Sequence, residues 1–205
     1  MRRILLLAVL AAPSCVVAVA ETGTSGIRGE PYEGRTGLRV EYATWGSYDS
    51  DFRGFEYPNP VVRQSADFDV EGLGVAFEHF FSEYFSVVAA LRQRDVENYR
   101  GNMPVDDTFQ EIAFGGRAHL PLDAGFSLFG EFGLVVLTGL DTTGANTLPG
   151  AALGAGAAWR LHEHLSLEVL ARYVSAVTED EDGWFFREKT ELEGAEIVFG
   201  LTYWF

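Results

Sequence analysis

The chain has 205 residues and a formal net charge of −15, from 30 acidic against 15 basic side chains. That balance argues against nucleic acid as a partner, because a phosphate-binding surface needs a basic patch, and Lys189 is the only lysine. Beyond the first twenty residues no stretch is apolar enough for a membrane helix, so any membrane reading has to run through strands.

The chain opens with Arg2 and Arg3, an apolar run at 4–12, and the small-x-small step Ala18-Val19-Ala20 before Glu21. This is the layout of a cleaved secretory signal peptide over residues 1–20. The run falls short of the ~20 residues a spanning helix needs. Cys15 leaves a lipoprotein reading open, although Ala12-Pro13-Ser14 lacks the usual leucine. Cleavage after Ala20 removes the one cysteine, so a disulfide cannot stabilise the exported product. Residues 21–36 are rich in Gly, Glu and Thr without a period and read as a flexible periplasmic lead-in. Residues 37–205 make one domain.

Period-two alternation then sets in, the mark of strands with two unlike faces. The first strand, 37–46, puts Leu38, Val40 and Tyr42 opposite Arg39, Glu41 and Ala43. A long polar, aromatic connection at 47–66 leads to strands at 68–80 and 85–94 around the tight turn 81–84. A connection at 95–108 precedes strands at 109–120 and 125–137 around 121–124. Another at 138–148 precedes strands at 149–161 and 165–178 around 162–164. The acidic connection 179–193 leads to the closing strand, 194–205. Similar steps, Phe85-Ser86-Val87, Phe126-Ser127-Leu128 and Leu165-Ser166-Leu167, recur about 40 residues apart. The expected fold is all-β: an eight-stranded antiparallel up-and-down barrel with short turns at one rim and long loops at the other.

A soluble barrel would alternate as well. Three features favour apolar side chains outward: the polar face is short of what water-facing strands carry, being mostly tiny in 149–161 and without lysine in any expected strand; loop lengths alternate short and long strictly; and the presumed inner face is charge-balanced. Its acids are Glu41, Glu78, Glu111, Glu131, Glu168 and Glu196, and its bases are Arg39, Arg92, Arg94, Arg117, Arg160 and Arg172. Eight strands leave an interior just wide enough for side chains to fill, and charges there must pair. Counting rise from the short-turn rim sets Glu111 with Arg92 or Arg94, Glu131 with Arg117, Glu168 with Arg160, Glu196 with Arg172, and Arg39 near Glu78.

The last twelve residues, Gly194–Phe205, alternate strictly. Gly200, Tyr203 and terminal Phe205 resemble the C-terminal insertion signal of bacterial outer-membrane β-barrels, with Val198 departing from it. From 37 to 205 the chain is similar to the small eight-stranded outer-membrane family that includes the OmpA transmembrane domain, OmpX and OmpW. The resemblance implies a multi-pass protein of the bacterial outer membrane with extracellular long loops and a plugged or nearly plugged lumen. Its implied partners are outer-membrane lipid, lipopolysaccharide and the outer-membrane insertion machinery, for a monomer without cofactor.

Candidates for chemistry are few. His164-Leu165-Ser166 superficially resembles the His-x-Ser step of lipid A deacylases, but His79, His119, His162 and His164 all fall at the short-turn rim, away from the outer leaflet. His162 and His164 have a spacing that metal ligands use, yet strand five separates His119 from them and polar turn histidines at an interface are the commoner explanation. Glu179-Asp180-Glu181-Asp182-Gly183 fails the helix-flanked calcium motif at Thr178 and Lys189. The aromatics Tyr48, Phe52, Phe55 and Tyr57 and, in the last loop, Trp184, Phe185 and Phe186 serve either as an interface girdle or as a recognition surface. The leading expectation is a non-enzymatic barrel with a structural and surface-interaction role. OmpW-like transport of small hydrophobic molecules is the alternative, and lipid A modification comes third. An apolar cavity open at the extracellular rim would favour transport.

Overall fold

Eight strands follow one another: β1 (Thr36–Glu56), β2 (Val62–Ser82), β3 (Phe85–Gly101), β4 (Thr108–Pro121), β5 (Phe126–Thr138), β6 (Thr147–His162), β7 (Leu165–Asp180) and β8 (Phe186–Trp204). The computed structural model describes residues 34–56, 62–102, 107–122, 125–139, 147–180 and 186–205; at 55, 56, 62, 180 and 186–188 it describes the backbone alone. The signal-peptide reading (1–20) and nearly all of the lead-in (21–36) lie outside these residues, as do Tyr57, Trp184 and Phe185. Each strand pairs antiparallel with the next and β8 closes on β1. Gly37 lies opposite Trp204, so both ends meet at the rim that carries the three short turns.

The strands are longer than period two alone suggests. The expected long connections at 47–66, 95–108 and 179–193 are largely strand: β1 runs on to Glu56, β3 to Gly101 and β7 to Asp180, and β2 and β8 begin at Val62 and Phe186, whereas the connection expected at 138–148 lies between Thr138 of β5 and Thr147 of β6, close to its expected bounds. A bulge explains why this was hidden. Ala43 pairs with Val198 but Trp45 with Ile197, leaving Thr44 as an extra residue in β1. One inserted residue exchanges the two faces of a strand. Below the bulge the odd residues Arg39, Glu41 and Ala43 are buried; above it the even ones, Tyr48, Ser50 and Phe52, are. β3 also shifts register by one residue against β2 near Asn98, which adopts a left-handed φ of 49°.

The two halves have opposite polarity. From the turn rim to about Trp45, outward side chains form an apolar belt, with Leu134, Leu153 and Phe114 at 70%, 65% and 62% exposed. A continuous apolar surface of this size has no place in water. The inward side chains at the same height are arginines and glutamates. Above the belt the interior becomes apolar: Tyr48, Phe52, Ala66, Phe68, Phe109, Leu137, Leu148, Val174 and Leu192 form one cluster. The Tyr48 and Phe68 rings stack at 6.0 Å, and Phe109 meets Tyr48 edge-on at 6.1 Å. Asp49, Asp51 and Asp67 now point outward.

Candidate functional site

The interior of the belt is a single linked network of charge-assisted hydrogen bonds. Arg117 on β4 donates from Nε to Glu131 (2.8 Å) and from Nη1 to Glu168 (2.6 Å) and Glu78 (3.2 Å). Arg39 on β1 donates to the same Glu78 (2.8 Å) and Glu168 (3.0 Å), and its Nε reaches Glu41 (2.7 Å). Glu41 also accepts from Arg92 Nε (2.6 Å), and Arg92 Nη1 donates to Glu111 (2.6 Å). Arg172 joins Glu111 (2.8 Å) to Glu196 (3.0 Å), which accepts two bonds from Arg94. Planar guanidinium forks suit such multivalent pairing in a desolvated space. Glu168 reaches Arg39 and Arg117 across the lumen, a pairing that counting between neighbouring strands does not find. Ser86 donates to the remaining Glu78 oxygen and Thr202 to the Glu168 oxygen that Arg39 also bonds, each at 2.6 Å. Arg160 is buried as well.

Glycines make room for the arginines. A β-carbon at Gly200 would lie 2.7 Å from Arg39 Cδ, and one at Gly74 would lie 2.8 Å from Arg92 Cγ. Gly200 thus faces the lumen, whereas Tyr203 and Phe205 of the same closing stretch are outward, at 52% and 63% exposure. Sequence reasoning missed this glycine–arginine apposition. Its signal was a glycine on the polar face of one strand, directly opposite an arginine on the next for Gly74 and Arg92 and diagonal to one for Gly200 and Arg39.

Aromatic side chains close the turn rim beneath the network. Trp204 packs on Phe80 (5.4 Å between centroids), Phe80 on His119 (4.6 Å), and Arg117 sits 4.3 Å above the Phe129 ring. All four histidines lie on this side. Ser166 Oγ is buried and accepts from Trp204 Nε1 at 2.8 Å, while His164 Nδ1 is bonded to the Trp204 carbonyl at 2.8 Å. His164 and Ser166 are thus both engaged by Trp204 and do not form a base–nucleophile pair. Among the described residues no group of three or more His, Cys, Asp or Glu is arranged to hold a metal ion.

The loop-surface reading needs correction. Phe52 is only 5% exposed and Tyr48 1%; both belong to β1 and face inward, because the Thr44 bulge turned them. Phe55 and Phe186 lie in the backbone of β1 and β8, not in free loops. Above the belt the exterior is instead acidic strand surface. Partial burial, then a hydrogen bond with Asp67, pushes the Asp49 carboxyl above its ordinary range. Lys189, paired with Glu191 and Glu179, is held above the ordinary lysine range chiefly by its bond to Glu191.

No protein-family model matches the sequence, and no curated protein matches it either. Solved structures do. The outer membrane protein OprG from Pseudomonas aeruginosa superposes with a TM-score of 0.52 at 14% identity, covering 86% of this chain and 99% of its own. Neisserial surface protein A gives 0.45 at 11% (83% and 99%), and Ail, the attachment invasion locus protein of Yersinia pestis, 0.38 at 13% (81% and 99%). With its closed antiparallel ring of eight strands and its outward apolar belt, this chain has the fold of the small outer-membrane β-barrels.

Proposed function

We propose that the chain is an integral protein of the bacterial outer membrane with a closed, non-conducting interior. It contributes to envelope integrity and carries an acidic surface on a raised stem outside the cell. The observation that carries this reading is the stacking of three fillings along one axis: an aromatic layer at the turn rim, the Arg–Glu network within the belt, and the apolar cluster above. Together they exclude two kinds of solute. Ions face an aromatic floor and an apolar ceiling, and hydrophobic molecules meet a desolvated ionic layer that they cannot enter without unpairing charges. From Gly46 to Glu56 β1 climbs roughly 30 Å of strand at about 3.3 Å per residue, which lifts its tip clear of the bilayer surface.

Its partners are then outer-membrane lipid and lipopolysaccharide along the belt, and the insertion machinery that reads Gly200, Tyr203 and Phe205. The raised acidic face suits basic partners at low salt. Transport of small hydrophobic molecules calls for an apolar space open at the extracellular rim. Tyr48, Phe68 and Phe109 pack on one another at that height, which makes uptake the weaker reading. A lipid A-modifying activity has no support in the placement of the histidines. Refolded protein in planar bilayers tests the closed interior. The expected record stays at the lipid baseline across the accessible voltage range, and sustained open-channel current overturns the proposal.

A further inference from the structure

An apolar groove of about 700 Å³ crosses the lipid-facing side of the barrel from β2 to β5. Strand register lays out one side of it, with Tyr42 beside Phe199, Phe199 beside Val169, and Val169 beside Ala157. Trp159 and Phe126, stacked at 5.4 Å with planes 3° apart, form the other side at its lower end. Ala157 contributes only a methyl between these larger neighbours.

We propose that this groove holds an acyl chain of a zwitterionic phospholipid from the periplasmic leaflet, with its head group at the β6–β7 turn. The inference rests on the membrane location proposed above. Within the belt only hydrocarbon reaches the groove, and a recessed channel between aromatic walls gives one chain more contact than the convex barrel elsewhere. The two ends decide which way the lipid stands. At the upper end the Tyr42 hydroxyl donates to Glu71 (3.1 Å), and Asp95 lies opposite Glu71 in the neighbouring strand. A lipid phosphate there would meet like charge.

At the lower end the β6–β7 turn presents His162, Glu163 and His164, and Arg35 donates from Nη1 to the Glu163 carbonyl at 2.8 Å. The Glu163 side chain is 65% exposed and can accept from a lipid ammonium. The His162 imidazole and the Arg35 guanidinium supply donors and positive charge for the adjoining phosphate. The Trp159 indole N–H has no acceptor among the described residues and sits three residues above His162 of the turn, at the level of the ester carbonyls. A purely anionic head group would be opposed by Glu163.

The test is native mass spectrometry of barrel released in mild detergent from vesicles of equal phosphatidylethanolamine and phosphatidylglycerol. One bound phospholipid is expected, enriched in the ethanolamine head. Ala157→Phe, which fills the groove, lowers its occupancy several-fold, while Ala155→Phe, outward on the same strand but outside the groove, does not. Glu163→Gln abolishes the head-group preference and leaves occupancy in place. Equal retention by the two alanine variants, or enrichment of the glycerol head, overturns the proposal. Should Ala157→Phe fail to fold, Trp159→Leu carries the same comparison. Wild-type protein that enters vesicles yet retains no phospholipid overturns the groove alone; protein that stays in the aqueous phase overturns the membrane reading itself.

Discussion

A methyl group at Gly200 has nowhere to go while Arg39 crosses above it at 2.7 Å. Moving Arg39 would disturb its bonds to Glu41, Glu78 and Glu168 together. Gly200→Ala is therefore expected to lower the temperature at which the folded band is lost on unheated gels, even where assembly in the membrane proceeds. An unchanged transition would mean that the arginine moves aside at little cost. Arg117 is the more severe case, because its removal strips a partner from Glu78, Glu131 and Glu168 at once. Breaking a buried pair by deleting one member costs about 3–5 kcal/mol. Arg117→Ala should therefore destabilise the barrel far more than Lys189→Ala, whose partners Glu191 and Glu179 are exposed at the surface. Thermal unfolding in detergent monitored by circular dichroism compares them directly, and similar midpoints would contradict a desolvated network.

The belt-height strands were legible in the sequence because their two faces differ in kind, Leu and Phe against Arg and Glu, and because the short turns fall at regular intervals. The strand ends above the belt were not, although their alternation is as strict: Tyr48, Ser50 and Phe52 against Asp49, Asp51 and Arg53. Its phase is reversed at Thr44, so a reader holding the lower register sees charges and aromatics mixed, which resembles a loop. The network members were legible as a balanced set of charges; their bonds across the lumen depend on curvature that no pairwise count along the sequence contains. Deleting Thr44 tests the device. Without it, either Tyr48 and Phe52 turn outward or Arg39 and Glu41 enter the apolar belt, and heat-modifiable mobility after refolding should disappear. Recovery of a native-like band would show that the strand absorbs the change elsewhere. The outer face of the same hairpin carries a pH dependence. The Asp49 carboxyl is held above its ordinary value of 3.8 by partial burial and then by Asp67, so the fold favours its protonated form. Stability from this site is present below pH 3.8 and is lost as pH rises through the raised value. Asp67→Asn should accordingly raise the melting temperature at neutral pH and have little effect in acid, and a gain of equal size at both pH values would remove Asp49 from the explanation.

At the scale of the molecule, the six arginines and six glutamates of the interior cancel, so the whole formal charge of −15 belongs to the rest of the chain. Two electrostatic populations follow, and salt separates them. Exposed charges farther apart than about 8–10 Å are screened at physiological ionic strength, whereas desolvated pairs are screened much less. Among the exposed groups like charges predominate, with acids running along β1, β2 and β8 above the belt, and mutual repulsion of that kind destabilises the compact state. Screening should relieve the repulsion while leaving the network beneath it almost untouched. Raising sodium chloride is therefore expected to move the thermal midpoint upward in a fixed detergent, and the increment should shrink in variants that neutralise Asp51, Glu191 or Glu193. A midpoint that falls with salt would mean that water and ions reach the Arg–Glu bonds and that attraction dominates what is screened. The closed interior would then fail, because it requires the network to be dry.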